Sequence, residues 1–343
     1  MNYFQMVGFN GKKNLKLLMG DTSFDNLRMI DKKVLFKRHV EVINLELSYE
    51  CNRKCDYCPV SFSDRQNSQS YMDSDLIEKI CTELSEIRYD NRISLNLYNE
   101  PLLDKNLADK ISTIRSYLPT AHIGFNSNGD FLRLHLLKKL SHSGLNHICV
   151  TLHPLPNVHQ DSTMIQRRLF KLLDRLSFDN YTDELNIAFI ESNRSFSLYV
   201  EGVRIIIQWP DWRREGTNRG GTLDKNSNQK SKRTSPCARP FREFTIFYDG
   251  NVQPCCESFH DNKLNLESVG NILRQNIFDL YTSKKLSLMR RSLYDFSEKT
   301  GICANCTAED FSSYSEDESR KKLISEINTS SFSPEINCQT KFD

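Results

Sequence analysis

Between Val40 and Trp209, segments with a two-residue hydrophobic period alternate with segments of helical period. That alternation constrains the fold more than any other feature of the chain. VEVINLELS sets Ile43, Leu45 and Leu47 against Asn44, Glu46 and Ser48, a strand by period. DSDLIEKICTELSEI follows with Leu76, Ile77, Ile80, Cys81, Leu84 and Ile87 on one helical face and Asp73 or Ser74 as N-cap. Strand RISLNLY, helix NLADKISTIRSYL, strand AHIGF, helix DFLRLHLLKKLSHSG (closed by Gly144) and strand HICVTL continue the pattern. Helix MIQRRLFKLLDRL and strands LNIAFI and VRIIIQW complete it. Such alternation predicts a parallel sheet of right-handed βαβ units, open or closed as a barrel, with its chemistry at the carboxyl ends of the strands.

Four segments are expected. Residues 1–39 read as a basic, weakly periodic N-terminal extension packing on the main domain, and 40–210 as the α/β core. Residues 211–310 open with a polar, Gly-bearing linker, DWRREGTNRGGTLDKNSNQKSKRTSPCARP, and lead into a second, cysteine-rich module. There FREFTIFYDGNVQPCC predicts a hairpin turning at Asp249-Gly250, followed by a helix over NIFDLYTSKKLSLMRRSL. Residues 311–343 read as a charged helix and a Ser/Thr/Asn-rich disordered tail. A hydrophobic content of 38% with 26% charge places the chain among globular proteins. A net charge of +2 gives no argument for nucleic acid or membrane as partner. With neither an N-terminal apolar run nor a spanning segment, a cytoplasmic location is expected.

Eleven cysteines in a chain expected to be cytoplasmic point to metal ligation or catalysis rather than disulfides. Eight of them are grouped: Cys51, Cys55 and Cys58; Cys237, Cys255 and Cys256; Cys303 and Cys306. Cys81 and Cys149 lie in apolar patterns and are expected as small buried hydrophobes, while Cys338 stands alone in the tail. The loop CNRKCDYC, directly after the first strand, offers three thiols and no fourth, since no Cys or His follows Cys58 until Cys81. A cubane [4Fe-4S] cluster held by three thiolates keeps one iron open, as catalytic metal sites do. Zinc modules want a second pair close by, and zinc remains the alternative.

CxxxCxxC with an aromatic residue before its third cysteine, after the first strand of a β/α domain, resembles the signature of radical S-adenosylmethionine (SAM) enzymes. The resemblance implies a partial (β/α)6 barrel in which Cys51, Cys55 and Cys58 bind a [4Fe-4S] cluster. The open iron would take the methionine amino and carboxylate groups of S-adenosyl-L-methionine, and one electron would release a 5′-deoxyadenosyl radical. Tyr98-Asn99-Glu100-Pro101 resembles the family's Gly-Gly-Glu-Pro motif in its last two residues, with Tyr98 and Asn99 tightening the pocket. Asn126-Ser127-Asn128-Gly129 resembles the segment whose polar side chains meet the ribose. Read without the family, YNEP is a strand-ending turn and SNGD a type I′ turn before a helix.

Cys237 and Cys255, with the pair in Cys303-Ala304-Asn305-Cys306, supply four ligands for a second, fully ligated [4Fe-4S] cluster or a structural zinc. FYDGNVQPCC and the NRGG stretch at Asn218–Gly221 resemble the small SPASM, or twitch, module of radical SAM dehydrogenases and epimerases, which implies an auxiliary cluster. Cys256 is then a spare thiol, either simply packed or a hydrogen donor to a substrate radical. Electron loss to the auxiliary cluster would oxidise the substrate; quenching by a thiol would invert a stereocentre. His153 and the Arg and Glu residues of 213–219 are candidate proton acceptors, with His153 expected as a satisfied polar residue.

Residues 213–242 hold nine basic side chains against Glu215 and Asp224, either a solvated linker or a mouth for an anionic small molecule. The N-terminal 39 residues are too short for the leader-binding domain that the resemblance implies for peptide maturases. The reading is therefore a radical SAM oxidoreductase acting by oxidation or epimerisation on a polyhydroxylated or amino-sugar-like substrate. It implies an external one-electron donor such as flavodoxin or ferredoxin. A peptide-modifying maturase and a non-enzymatic zinc-stabilised binding module are the alternatives.

Overall fold

The computed structural model describes residues 18–20, 27–65, 70–154, 160–178, 185–223, 232–259, 268–308 and 318. Residues 1–17 and 21–26, Cys338, and the helix and tail expected over 311–343 (residue 318 apart) lie outside the described residues.

The expected strands form along the core as β1 (Val42–Leu45), β2 (Arg92–Ser94), β3 (His122–Ser127), β4 (His147–Thr151) and β6 (Val203–Gln208). Helices Ser74–Ser85, Leu107–Tyr117, Leu134–His142 and Ser162–Arg175 alternate with them. Asp73 is the cap of the first helix, its carboxylate accepting from Asp75 N. The C-terminal segment adds β7 (Glu243–Ile246), β8 (Asn251–Gln253) and β9 (Gly270–Asn271), and β7 and β8 turn at Asp249-Gly250 as expected.

Among the described residues the sheet, with β5 (Ser195–Val200) at one edge, runs in the order β5-β6-β4-β3-β2-β1-β7-β8-β9. Six neighbours, β7-β1-β2-β3-β4-β6, are parallel. The fold is the expected partial (β/α)6 barrel, but its sixth parallel strand comes from the C-terminal segment. β7 pairs with β1 over four residues, so the sheet continues into the cysteine-rich module without a break.

Two elements differ from the sequence reading. LNIAFI is not a strand: Ile187–Ser192 is a helix, started by Asn186, whose side chain accepts from Phe189 N, and it buries only Ile190. The strand of this region is β5 (Ser195–Val200), antiparallel to β6. Glu201 and Gly202, both at positive φ, make the two-residue turn between them. The helix expected over NIFDLYTSKKLSLMRRSL is two helices, Ile277–Tyr281 and Lys284–Ser292, because Ser283 caps the second by accepting from Leu286 N.

The register explains why these parallel strands alternate in polarity when parallel strands are usually apolar on both faces. Ile43, Ile93, Ile123, Ile148, Ile205 and Phe244 face the helices and form the core. On the other face Gln253, Thr245, Asn44 and Ser94 lie side by side, all buried, and Asn44 Nδ2 donates to Thr245 Oγ1 at 3.2 Å. Gly124, His147 and Arg204 continue that row. The concave face is a polar lumen. Cys149, expected in an apolar setting, belongs to the lumen face beside Asn126, and burial pushes its thiol up to about 11. Cys81 is in the core as expected.

Of the N-terminal extension, the helix Met29–His39 is built into the molecule. Phe36, fully buried, meets Tyr89, Phe244, Phe278 and Tyr281 edge-on at 5.1–6.3 Å, touching both the core and the C-terminal segment.

Two stability predictions arise here. A Cβ on Gly124 would stand 2.0 Å from His147 Cε1, so Gly124→Ala should cost about 1–3 kcal/mol, read as a lower urea midpoint. His147 Nδ1 has no hydrogen-bond partner among the described residues, and burial, together with the neighbouring Arg92, His122 and Arg204, pulls its pKa down to about 3. Between there and its ordinary value near 6.5 the unfolded chain binds the proton and the folded one does not. Stability from this group is therefore complete above pH ~6.5 and lost as pH falls below it. Urea midpoints at pH 7.5 and 5.0 should differ less in His147→Gln than in the parent.

Candidate active site

The three-cysteine loop starts six residues past the end of β1 and is closed by its own backbone. Cys58 N donates to Cys55 O at 3.0 Å, and Ser61 Oγ to the same carbonyl at 2.7 Å. Side chains tie it to the end of β3. Arg53 donates to both oxygens of Asp130, at 2.8 and 2.5 Å, and Asn52 Nδ2 to Oδ2 at 2.9 Å. Asn128 Nδ2 donates to Asn52 Oδ1 at 2.8 Å. Burial works to raise Asp130, but the Arg53 hydrogen bonds and charge prevail and hold it below the usual carboxylate range. This clamp was not foreseen, although Asn52, Arg53 and Asp130 all lie inside or next to the quoted motifs.

Cys51, Cys55 and Cys58 line one cleft at the carboxyl ends of the strands, together with Tyr98, Asn99, Glu100, Asn126, Ser127 and Asn128. Pro101, the remaining expected contact, does not line it; it opens the short 3-10 turn Pro101–Leu103. Glu100 accepts from Ser127 Oγ and Asn128 N, both at 2.7 Å, so the second motif and the β3 segment are joined by one carboxylate. Burial outweighs those bonds and pushes Glu100 up to about 7. In SNGD only Gly129 has positive φ, so the turn is not type I′; Asn128 Oδ1 instead accepts from Asp130 N.

His153 lines the cleft with its Nδ1 2.8 Å from Tyr57 Oη. Burial, with Arg53 and Arg168 nearby, pulls its pKa down to about 3, so it is a neutral, hydrogen-bonded ring, as expected. Asn96, Thr151, Gln208 and Trp212 also line the cleft and were not singled out, and Arg219, one of the Arg and Glu residues of 213–219 named from the sequence, lines it too. The strand period could have found the first three, since they alternate with core residues.

The structure brings Cys237, Cys255, Cys303 and Cys306 together. Cys255 feels the charges of Cys237 and Cys306, and Cys303 that of Cys306. Burial raises all of these thiols for which a shift is seen, Cys303 to about 11. Arg233 is the organiser of this region. Fully buried, its guanidinium donates to the carbonyls of Ser235, Pro236, Cys306 and Ala308, and its N–H to Ala304 O. Asn218 of NRGG bonds Asn305 O at 2.6 Å and both backbone and side chain of Thr307, locking that stretch onto CANC. Cys256 adjoins this group, as the neighbouring charge that Cys255 feels most. Its Sγ accepts from Arg239 Nη1 at 3.0 Å, and it is not among the described residues that line the cleft.

The expected basic mouth is not a set of free cations. Arg213 pairs with Asp56, Arg214 with Asp211, Arg219 with Glu257, Lys232 with Glu298, Arg239 with Glu243 and Arg242 with Glu41. Arg233 is structural, and Lys225, Lys230 and Asp224 lie outside the described residues.

Both cysteine groups fit iron–sulfur clusters. At the first, three thiols share one cleft and burial pushes Cys51 up to about 12, so they become thiolates only when a metal group draws off the protons. Among the described residues no three Cys, His, Asp or Glu side chains converge on a single ion. Arg53 and Arg219 supply positive charge beside the thiols.

The comparisons with known proteins agree. Residues 45–176 match the radical SAM superfamily, and 237–307 the SPASM iron–sulfur cluster-binding domain. The chain is 29% identical over 266 residues to an S-adenosyl-L-methionine-dependent 2-deoxy-scyllo-inosamine dehydrogenase of Niallia circulans, covering 77% of this chain and 92% of that one. A GTP 3′,8-cyclase of Campylobacter curvus is 28% identical over 133 residues, 37% of this chain and 38% of that one. The crystal structure of BtrN in complex with AdoMet and 2-DOIA superposes with a TM-score of 0.57 at 27% identity, over 78% of this chain and 93% of that one. BtrN in an open conformation gives 0.52 at 24% identity, over 78% and 92%, and so shares the fold. Residues 45–176 thus form a radical SAM domain and 237–307 a SPASM iron–sulfur cluster-binding domain, a pair that implies S-adenosyl-L-methionine and [4Fe-4S] clusters as cofactors.

Proposed function

We propose that the chain is a radical SAM dehydrogenase that oxidises a hydroxyl-bearing carbon of an amino-sugar-like small molecule to a ketone. The observation that carries this reading is Arg219. It lies in the stretch locked onto the auxiliary cysteines, yet its side chain lines the cleft of Cys51, Cys55 and Cys58. A substrate in that cleft would touch residues tied to both cysteine groups, as a reaction that starts at one cluster and delivers an electron to the other requires. The near full-length similarity to a dehydrogenase of an amino-cyclitol supports the substrate class.

When bound, the three-cysteine cluster and S-adenosyl-L-methionine supply the hydrogen-abstracting radical. The chain does the rest. The polar edge at Tyr98–Glu100 and Asn126–Asn128 would hold the methionine and ribose groups, and Tyr57, Asn96, Thr151 and Gln208 line the same cleft. The bond from Arg239 to the Cys256 thiol, which does not line the cleft, favours oxidation over epimerisation, because a hydrogen donor has to reach the substrate. Cys237, Cys255, Cys303 and Cys306 would hold the electron-accepting cluster. An external donor such as flavodoxin or ferredoxin supplies the first electron, and the reduced thiols suit the cytoplasm.

Anaerobically reconstituted protein, given dithionite, S-adenosyl-L-methionine and 2-deoxy-scyllo-inosamine or related amino-cyclitols, tests this. Expected is a ketone two hydrogens lighter than its substrate, formed one-for-one with 5′-deoxyadenosine. An isomeric product that takes up one solvent deuterium when the reaction is run in heavy water would mean epimerisation and overturn the reading.

A further inference from the structure

Arg65 lies just past the three-cysteine loop, and both it and Glu46 are fully buried. Two charges removed from water lose their hydration, and such a pair persists only with good geometry and further contacts. Arg65 Nη1 donates to Glu46 Oε1 at 2.6 Å. Its guanidinium carbon lies 4.3 Å from the Tyr49 ring centre, 4.9 Å from Phe259, 5.6 Å from Phe247 and 5.7 Å from Tyr98. Tyr49 and Tyr98 belong to the radical SAM core, whereas Phe247 and Phe259 belong to the SPASM domain. The cage therefore closes only where the two domains meet.

Tyr98 is held at both ends. Its N–H donates to the same Glu46 oxygen at 3.1 Å, and its hydroxyl donates to the Cys256 carbonyl at 3.1 Å, next to the auxiliary ligand Cys255. We propose that Tyr98 is a strut through which the auxiliary-cluster loop positions the S-adenosylmethionine pocket, fixed in place by the Glu46–Arg65 pair in its aromatic cage. Glu46, Arg65 and Phe259 do not line the cleft, so they are positioning residues that act through Tyr98 and the adjoining Asn99. An apolar plug could fill the same space without a desolvation cost; the ion pair adds direction, because its carboxylate fixes one peptide N–H at the pocket edge. The proposal rests on this cleft being the cofactor site.

The test measures S-adenosylmethionine affinity by equilibrium dialysis, together with the EPR spectrum of the reduced three-cysteine cluster with and without S-adenosylmethionine. It uses reconstituted holoenzyme whose iron content and circular dichroism match the parent. Phe259→Leu and Arg65→Lys are each expected to weaken binding about tenfold and to alter the cofactor-induced EPR change. The double variant should be no more than about twofold worse than the weaker single, since both changes act on one strut. Unchanged affinity in Phe259→Leu, or losses that multiply in the double variant, overturns the proposal. Should Arg65→Lys not fold, Tyr98→Phe, which deletes only the phenol bond to Cys256, takes its place in the cycle. A parent enzyme that binds no S-adenosylmethionine would overturn the cofactor-site reading and the proposal with it.

Discussion

Cys55→Ala protein should retain about four of the about eight iron atoms expected per chain and release no 5′-deoxyadenosine above background. Cys51, Cys55 and Cys58 share one cleft and no other thiol among the described residues lines it, so loss of one ligand is not made good there. Cys149 belongs to the lumen face of β4, beside Asn126, and could be a substitute only if the loop moved off its Asp130 clamp. The fold should survive, because the loop is held by Arg53, Asn52 and Ser61 rather than by the thiol. The auxiliary cluster should survive as well, its four ligands lying in the C-terminal segment around Arg233. Iron and sulfide analysis, EPR and chromatography of the nucleoside together give the result. Undiminished 5′-deoxyadenosine release would refute the assignment of the loop. The complementary change, Cys303→Ala, should reverse the pattern: iron is lost from the second site while nucleoside release persists and ketone formation stops.

The chemistry was legible in the sequence where it depends on short local spacings. CNRKCDYC, NEP and SNGD each lie on a few consecutive residues after a strand, and the sheet gathers their carboxyl ends at one edge. The grouping of Cys237 and Cys255 with CANC, far apart in the chain, came instead from the resemblance to the SPASM module. What the sequence reading missed depends on distance. Arg65 and Glu46 are separated by the whole cysteine loop, and only the fold makes them a buried pair. Arg233 looked like one cation in a polar linker, yet it is fully buried against backbone carbonyls. Charge counting along a sequence cannot tell a solvated guanidinium from one that replaces water for four carbonyl groups. LNIAFI misled by composition: its apolar residues fit a short strand as well as a single helical turn, and the Asn186 cap decided for the helix.

Arg219→Met should lower ketone formation by about 10²–10³-fold while leaving much of the substrate-independent 5′-deoxyadenosine release intact. Arg219 sits at φ 51° within NRGG, a left-handed conformation that a non-glycine residue takes only when its surroundings impose it. Asn218 imposes it by bonding Asn305 and Thr307 on one side and Gly221 N on the other. The guanidinium is thereby directed at the cleft, with Nη1 3.6 Å from Glu257 Oε2 and its carbon 5.9 Å from the Tyr98 ring centre. Burial works against its charge, but Glu257, Tyr98 and Cys58 outweigh it, so the group stays cationic throughout the working pH range. Oxidation of a hydroxyl-bearing carbon removes one hydrogen atom, one proton and one electron, and negative charge grows on the oxygen as the proton leaves. A fixed cation beside that oxygen stabilises the charge without reorganisation, which is how oriented groups lower barriers. Methionine keeps the volume and removes the charge. Arg219→Lys keeps a charge without the planar fork and should fall between the two. The readout is the ratio of ketone to 5′-deoxyadenosine, near one in the parent and far below one in Arg219→Met. A ratio that stays near one would show that the proton leaves by a route that does not need this side chain.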